Sequence, residues 1–231
     1  MARSLMVKRR ISRARDAPSP VTSLEIAESL RNDPPTGVAE WRRRRRRWSR
    51  ALRTSTPKAV VRLSCELLGR APWDRLTAYE LIASHPTAVS ALSRASVRAL
   101  GRHLTNWGIV DAFACYVSGP AWRERRLASA EIHAWLRSRD RWRRRAAVVS
   151  TIALNVRARG GKGDPPRTLD VCHRVVDDHD DMIVKALSWA LRSLIEWDRN
   201  AVARFLNEHD GRLASRVKRE VRHKLATSRK N

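Results

Sequence analysis

The chain has 231 residues and carries 48 Lys+Arg against 23 Asp+Glu, a formal net charge of +25. Hydrophobic residues make up 42% and recur in separate stretches, which excludes a disordered basic tail and suits one folded domain or a short array of helical repeats. No apolar run is long enough for a signal peptide or a membrane span, and so large a surplus of surface cations makes a polyanion the natural partner.

Residues 1–20 read as a basic N-terminal arm and 21–231 as a single helical domain. Pro18 and Pro20 precede a short helix around Val21 to Leu30, which Asp33-Pro34-Pro35-Thr36-Gly37 breaks. From Val38 onward the pattern is helical, punctuated at Thr56-Pro57, Ala71-Pro72, His85-Pro86, Gly119-Pro120, Gly160 to Pro166, Asp178 to Asp180, Trp197-Asp198 and His209-Asp210-Gly211. The helices between these points are expected to run roughly 10 to 18 residues, and no segment alternates with period two. The fold class is therefore all-α, and helix pairs of roughly 40 residues with short joints suggest HEAT-like units stacked into a solenoid. Such a solenoid would offer a concave basic face wide enough for a duplex. The loop Gly160-Gly161-Lys162-Gly163-Asp164 looks like the loosest internal joint and lacks the spacing of a phosphate-binding GxxxxGK[ST] motif.

Within the first long helix, Trp41 and Trp48 flank six consecutive arginines, Arg42 to Arg47. The two tryptophans are seven residues apart and share a helical face, which points to packing against a neighbour. The arginines, among them Arg42, Arg43 and Arg46, suit contact with a nucleic-acid backbone; they can hold phosphates without specifying a base.

Trp107 and Asp111 lie one turn apart on one face of the next informative helix, with Asn106 or Thr105 as its cap. The bland alternative for Asp111 is an ion pair with one of the many arginines. In the helix opened by Trp142, the residues Trp142, Ala146, Val149, Ala153 and Val156 form the buried stripe, leaving Arg141, Arg144 and Arg145 available to an adjoining surface. Arg145 stands among increasingly apolar neighbours, where its long stem could cross the core edge and deliver the guanidinium to a cleft. Further on, Ile183, Ala186, Leu187, Ala190 and Leu194 make a buried side, whereas Lys185, Trp189 and Arg192 fall on another. An indole between cations suits contact with a sugar or base while the cations hold phosphate.

Cys65, Cys115 and Cys172 form no CxxC pair, and any single disulfide would leave one over, so a reducing cytoplasm is expected. The histidines form no short HxxxH motif, and Asp177 to Asp181 reads as a polar turn capping the next helix rather than as a metal site.

The segments Asn106-Trp107-Gly108-Ile109-Val110-Asp111, Trp142-Arg143-Arg144-Arg145-Ala146-Ala147-Val148-Val149 and Lys185-Ala186-Leu187-Ser188-Trp189-Ala190-Leu191-Arg192 resemble, in order and spacing, those of the AlkD-like DNA alkylation repair glycosylases. The likeness runs from about Trp73 to Leu225 and takes in Arg219-Glu220. It implies a HEAT-like solenoid holding damaged duplex DNA. It further implies that Trp107 and Asp111 face the lesion, that Trp189 completes an aromatic cleft, that Arg145 is the active-site arginine holding a phosphate, and that Arg192 contacts the backbone. Gly108 departs from the aspartate often found after the first motif tryptophan. The implied activity is hydrolysis of the N-glycosidic bond of N3- or N7-alkylated, cationic purines, with no metal or redox cofactor, by a monomer associated with the nucleoid. The alternative is a noncatalytic helical-repeat protein binding DNA or structured RNA through phosphates; a third reading is a protein-interaction scaffold.

Overall fold

The computed structural model describes residues 21–69 and 72–227 and is all-helical over them. The expected N-terminal arm, 1–20, lies outside the described residues. Helix α1 (Ser23–Asn32) begins at Thr22, which forms a capping box with Glu25. It is followed by α2 (Val38–Ala51), by α3 (Pro57–Glu66) with proline in its first turn, and by α4 (Pro72–Ser84). A 3₁₀ turn (Ala88–Ala91) leads to α5 (Arg94–Leu100) and α6 (Trp107–Phe113). After a π segment (Ala114–Ser118) come α7 (Gly119–Arg123), α8 (Ser129–Leu136), α9 (Arg141–Ser150) and α10 (Ile152–Asn155). A second 3₁₀ turn (Arg157–Arg159) precedes α11 (Pro165–His173), α12 (Asp181–Leu194), α13 (Arg199–Glu208) and α14 (Ser215–Thr227). None of the described helices is long and apolar enough to cross a membrane.

Helices α2, α4, α6, α9, α12 and α14 pack in succession, each on the next, while α3, α8, α11 and α13 lie beside them. This stack of helix pairs is the packing of a HEAT-like repeat array. The helices are shorter than the punctuation suggests, with α5 and α6 of 7 residues and the longest, α2 and α12, of 14.

Gly119-Pro120 is not the break that the sequence pattern predicts. The backbone stays helical from 107 to 123, because the π segment lets the Gly119 N–H reach back to the Ala114 carbonyl just before the residue that has no N–H to donate. The Gly160 to Pro166 joint is tied down on every side. Gly161 and Gly163 donate to Val156 and Leu154 carbonyls at 3.1 and 3.0 Å, and Asp164 donates to Asn155 Oδ1 at 3.0 Å. Asn155 in turn donates to Thr168 at 2.8 Å and its carbonyl accepts the Trp197 indole N–H at 2.6 Å.

Trp41 and Trp48 are buried, as their shared face implies, and the Trp41 indole N–H donates to Thr77 at 2.8 Å. The cysteines are free, with Cys115 and Cys172 in the core.

Candidate functional site

The expected site residues fall on one succession of stacked helices: Arg42, Arg43 and Arg46 on α2, Trp107 and Asp111 on α6, Arg144 and Arg145 on α9, and Lys185, Trp189 and Arg192 on α12. Asn106, rather than Thr105, caps α6, its Oδ1 accepting the Ile109 N–H at 3.1 Å. The cap starts the helix so that Ile109, Val110 and Phe113 enter the core. Trp107, in the first turn, is left 62% exposed, far more than a core tryptophan tolerates. Gly108 has open space around it, since a Cβ there would meet only Asn106 Oδ1 at 3.4 Å.

Asp111 and Arg145 come together across α6 and α9. Arg145 Nε donates to Asp111 Oδ1 at 2.9 Å and Nη2 to Oδ2 at 2.8 Å, a two-pronged pairing that fixes the carboxylate plane. Arg145 Nη1 also donates to the Met182 carbonyl in the first turn of α12 at 2.5 Å. The guanidinium, with only 7% of its side chain exposed, thus ties three helices together and faces Asp111 rather than an outside phosphate. Burial pushes the Asp111 carboxyl above its ordinary value, against the opposing pull of Arg145 and Arg159.

Trp189 is half-buried and lines a groove of about 450 Å³ with Arg157, Arg159, Arg192, Glu196 and Lys224. Glu220 of α14 accepts Ser188 Oγ at 2.6 Å and Arg216 at 2.7 Å and lies 3.5 Å from Arg192, which anchors this side of α12. A second cavity of about 500 Å³ is lined by Cys115, Tyr116, Arg123, Val156 and Arg159 among others. Cys115 stands one turn beyond Asp111, and burial pushes its thiol up to about 12, so no thiolate nucleophile is present there at neutral pH.

The other cations singled out differ in their surroundings. Arg144 pairs with Asp178 at 2.7 Å and also donates to the Ser138 and Arg139 carbonyls, and Lys185 pairs with Asp181 at 2.5 Å. Arg42, Arg43 and Arg46 are exposed, whereas Arg44 pairs with Asp33 and Glu40 and Arg45 with Glu80. Arg159 was not singled out: it sits in a three-residue turn where no helical period assigns a face.

Among the described residues, one cluster has ligand chemistry for a metal. His173, Glu208 and His209, at the C-terminal ends of α11 and α13, bring their ligand atoms within 4.8 Å of one another. His173 Nδ1 and His209 Nε2 are hydrogen-bonded at 2.8 Å, which accounts for their approach. Asp180 accepts the Met182 N–H at 2.9 Å and caps α12, as the acidic run implies.

A family model described as DNA alkylation repair enzyme matches residues 36–225 of this chain. A search of curated proteins finds no match.

Proposed function

The chain belongs to the DNA alkylation repair enzyme family, and we propose that within it this protein is a monofunctional DNA glycosylase acting on N3- or N7-alkylated purines in duplex DNA. The observation that carries the reading is the carboxylate of Asp111, held by both prongs of Arg145 on the same short helix as an exposed Trp107.

An alkylated purine is cationic, so breaking its glycosidic bond returns the electron pair to the base and releases it neutral. The positive charge moves to the deoxyribose, where water forms the new C1′–O bond and gives up a proton. An enzyme accelerates that step by placing a fixed negative charge where positive charge develops. Asp111 supplies the charge and orients the water; Arg145 keeps the carboxylate in one orientation. Trp107 and Trp189 contact the lesion nucleotide, and Lys185 and Arg192 lie beside Trp189 on the same helix for the backbone. The remaining contacts fall to α2, through Arg42, Arg43 and Arg46, and to Arg144 on α9. The stacked helices present these groups to the duplex along a concave, basic face.

The test is release of modified base from a duplex containing 7-methylguanine, comparing the wild-type chain with Asp111→Asn at matched DNA occupancy. Release by the wild type with a loss of at least about 100-fold in the variant is expected, the scale on which single transition-state charge stabilisers act. Salt-sensitive binding with no release by either protein would replace this reading with that of a noncatalytic DNA-binding relative, which the exposed arginines of α2 would serve equally well.

A further inference from the structure

Arg159 is the charged one of three residues, with Val156 and Ala158, that the two cavities share. It lines both of the cavities described above, the one containing Trp189 and Arg192 and the one beginning a turn beyond Asp111. Its guanidinium lies over the Tyr116 ring at 4.9 Å, which places it against the π segment that continues the Asp111 helix. The backbone beneath it is rigidly set. Its carbonyl accepts Arg123 Nη1 at 2.6 Å, and its N–H donates to Val156 at 2.9 Å. Gly160 closes the turn at φ +80, where a Cβ would meet the Arg123 guanidinium at 3.1 Å.

The side chain is partly withdrawn from water, yet among the described residues no carboxylate reaches ion-pair distance of it. Of the acids around it, Glu80 is taken by Arg45 at 2.9 Å and Asp111 by Arg145, while Glu196, which lines the same groove, stands exposed in solvent outside ion-pair distance. Arg123, Arg144, Arg145, Arg167 and Arg192 all have carboxylate partners. A partly desolvated cation is costly unless a counter-charge accompanies it, so Arg159, which has the Tyr116 ring but no carboxylate against it, is set up to take an anion from outside. With five N–H donors, a guanidinium held beside an aromatic ring retains donors for the planar, forked recognition of phosphate.

We infer that Arg159 is an anion site, built to receive a phosphodiester of the DNA backbone between the Trp189 groove and the Asp111 helix. The inference rests on reading the partner as DNA, and it assigns to Arg159 the phosphate contact that Arg145, turned onto Asp111, does not make. A phosphate held there would pin the strand at the turn that joins the two cavities, fixing its register against both Trp189 and Asp111.

The experiment measures binding of a short duplex, with and without 7-methylguanine, by fluorescence anisotropy over a range of salt concentrations, for wild type, Arg159→Gln and Arg159→Lys. Thermal melting with inorganic phosphate alone forms a second arm. Loss of the contact is expected to weaken binding about tenfold and to lower the log–log salt slope by about 0.9, one phosphate contact, with Lys restoring the slope but not the full affinity. Unchanged affinity and slope in Arg159→Gln overturn the inference. So does stabilisation by inorganic phosphate that requires Arg159 while the DNA slope stays the same, since the site would then serve a free anion. A lowered slope in a protein that releases no base leaves the anion site standing and removes the glycosylase reading. Base release by wild type with an unaltered Arg159→Gln slope does the reverse.

Discussion

Asp111 is held between opposing influences. Burial favours the neutral acid and pushes its pKa up, while Arg145 and Arg159 favour the anion. If the anion is the working form, the sign of the pH dependence follows: excision is full while the carboxyl is ionised and falls as pH drops through a pKa raised above the ordinary aspartate value of about 3.9. Single-turnover release of 7-methylguanine across an acidic pH series should show an acid limb above that value, absent from the residual rate of Asp111→Asn. A limb at or below it would mean that binding leaves the carboxylate better solvated than the free protein does. The face shared by Trp107 and Asp111 was legible from a spacing of one turn, and so was the passage of Arg145 across the core edge, because apolar neighbours leave a long side chain few directions. Which acid Arg145 would meet was not legible, since that depends on how α6 and α9 cross. Arg159 was invisible for a different reason: a three-residue turn has no period, and one more arginine among so many carries no signal.

The continuous stretch 107–123 shows why an element can defeat its own sequence markers. Glycine followed by proline is a strong local breaker. Here the glycine is required by packing and the proline is accommodated by the widened turn before it. A Cβ on Gly119 would lie 2.6 Å from the Ser150 carbonyl oxygen and 2.7 Å from Ala153 Cβ, so α7 meets the end of α9 and α10 nearly backbone to backbone. Ser118 and Ser150 share a buried hydrogen bond of 2.8 Å at the same crossing. Such a contact is tertiary and leaves no periodic trace, whereas the caps of α6 at Asn106 and of α12 at Asp180 are local and could be placed from sequence. Gly119→Ala should destabilise the protein by about 1 to 3 kcal/mol through overpacking. Urea unfolding would register this as a lower midpoint at unchanged slope. Because the crossing joins the helix bearing Asp111 to that bearing Arg145, excision should fall in the variant even under conditions where it remains folded. Wild-type stability would mean that α7 shifts away from α10 at little cost.

Across the whole molecule the charge is unevenly spent. Many of the acids are engaged with arginine or lysine, from Asp33 and Glu40 near one end to Asp210 and Glu220 near the other, so much of the surplus of 48 Lys+Arg over 23 Asp+Glu remains at the surface. Helix α2 divides this clearly. Trp41 and Trp48 fasten it to the stack, Arg44 and Arg45 are spent on Asp33, Glu40 and Glu80, and Arg42, Arg43, Arg46 and Arg47 stand in solvent. Exposed arginines repel one another unless something anionic lies against them, and on the proposed reading a helix stacked in the same succession as α6, α9 and α12 would offer them to a strand passing Asp111. Phosphate contacts are blind to the base, so they set affinity and leave discrimination to other groups. The triple variant Arg42→Gln, Arg43→Gln, Arg46→Gln should therefore lose up to about 2.7 from its log–log salt slope, about 0.9 for each phosphate released. Intact and 7-methylguanine duplexes should weaken by the same factor, leaving the ratio of their affinities unchanged. Titrations of both duplexes at several salt concentrations measure slope and ratio together. An unchanged slope would place α2 away from the duplex, and a changed ratio would mean that its arginines sense the distortion a lesion imposes on the strand.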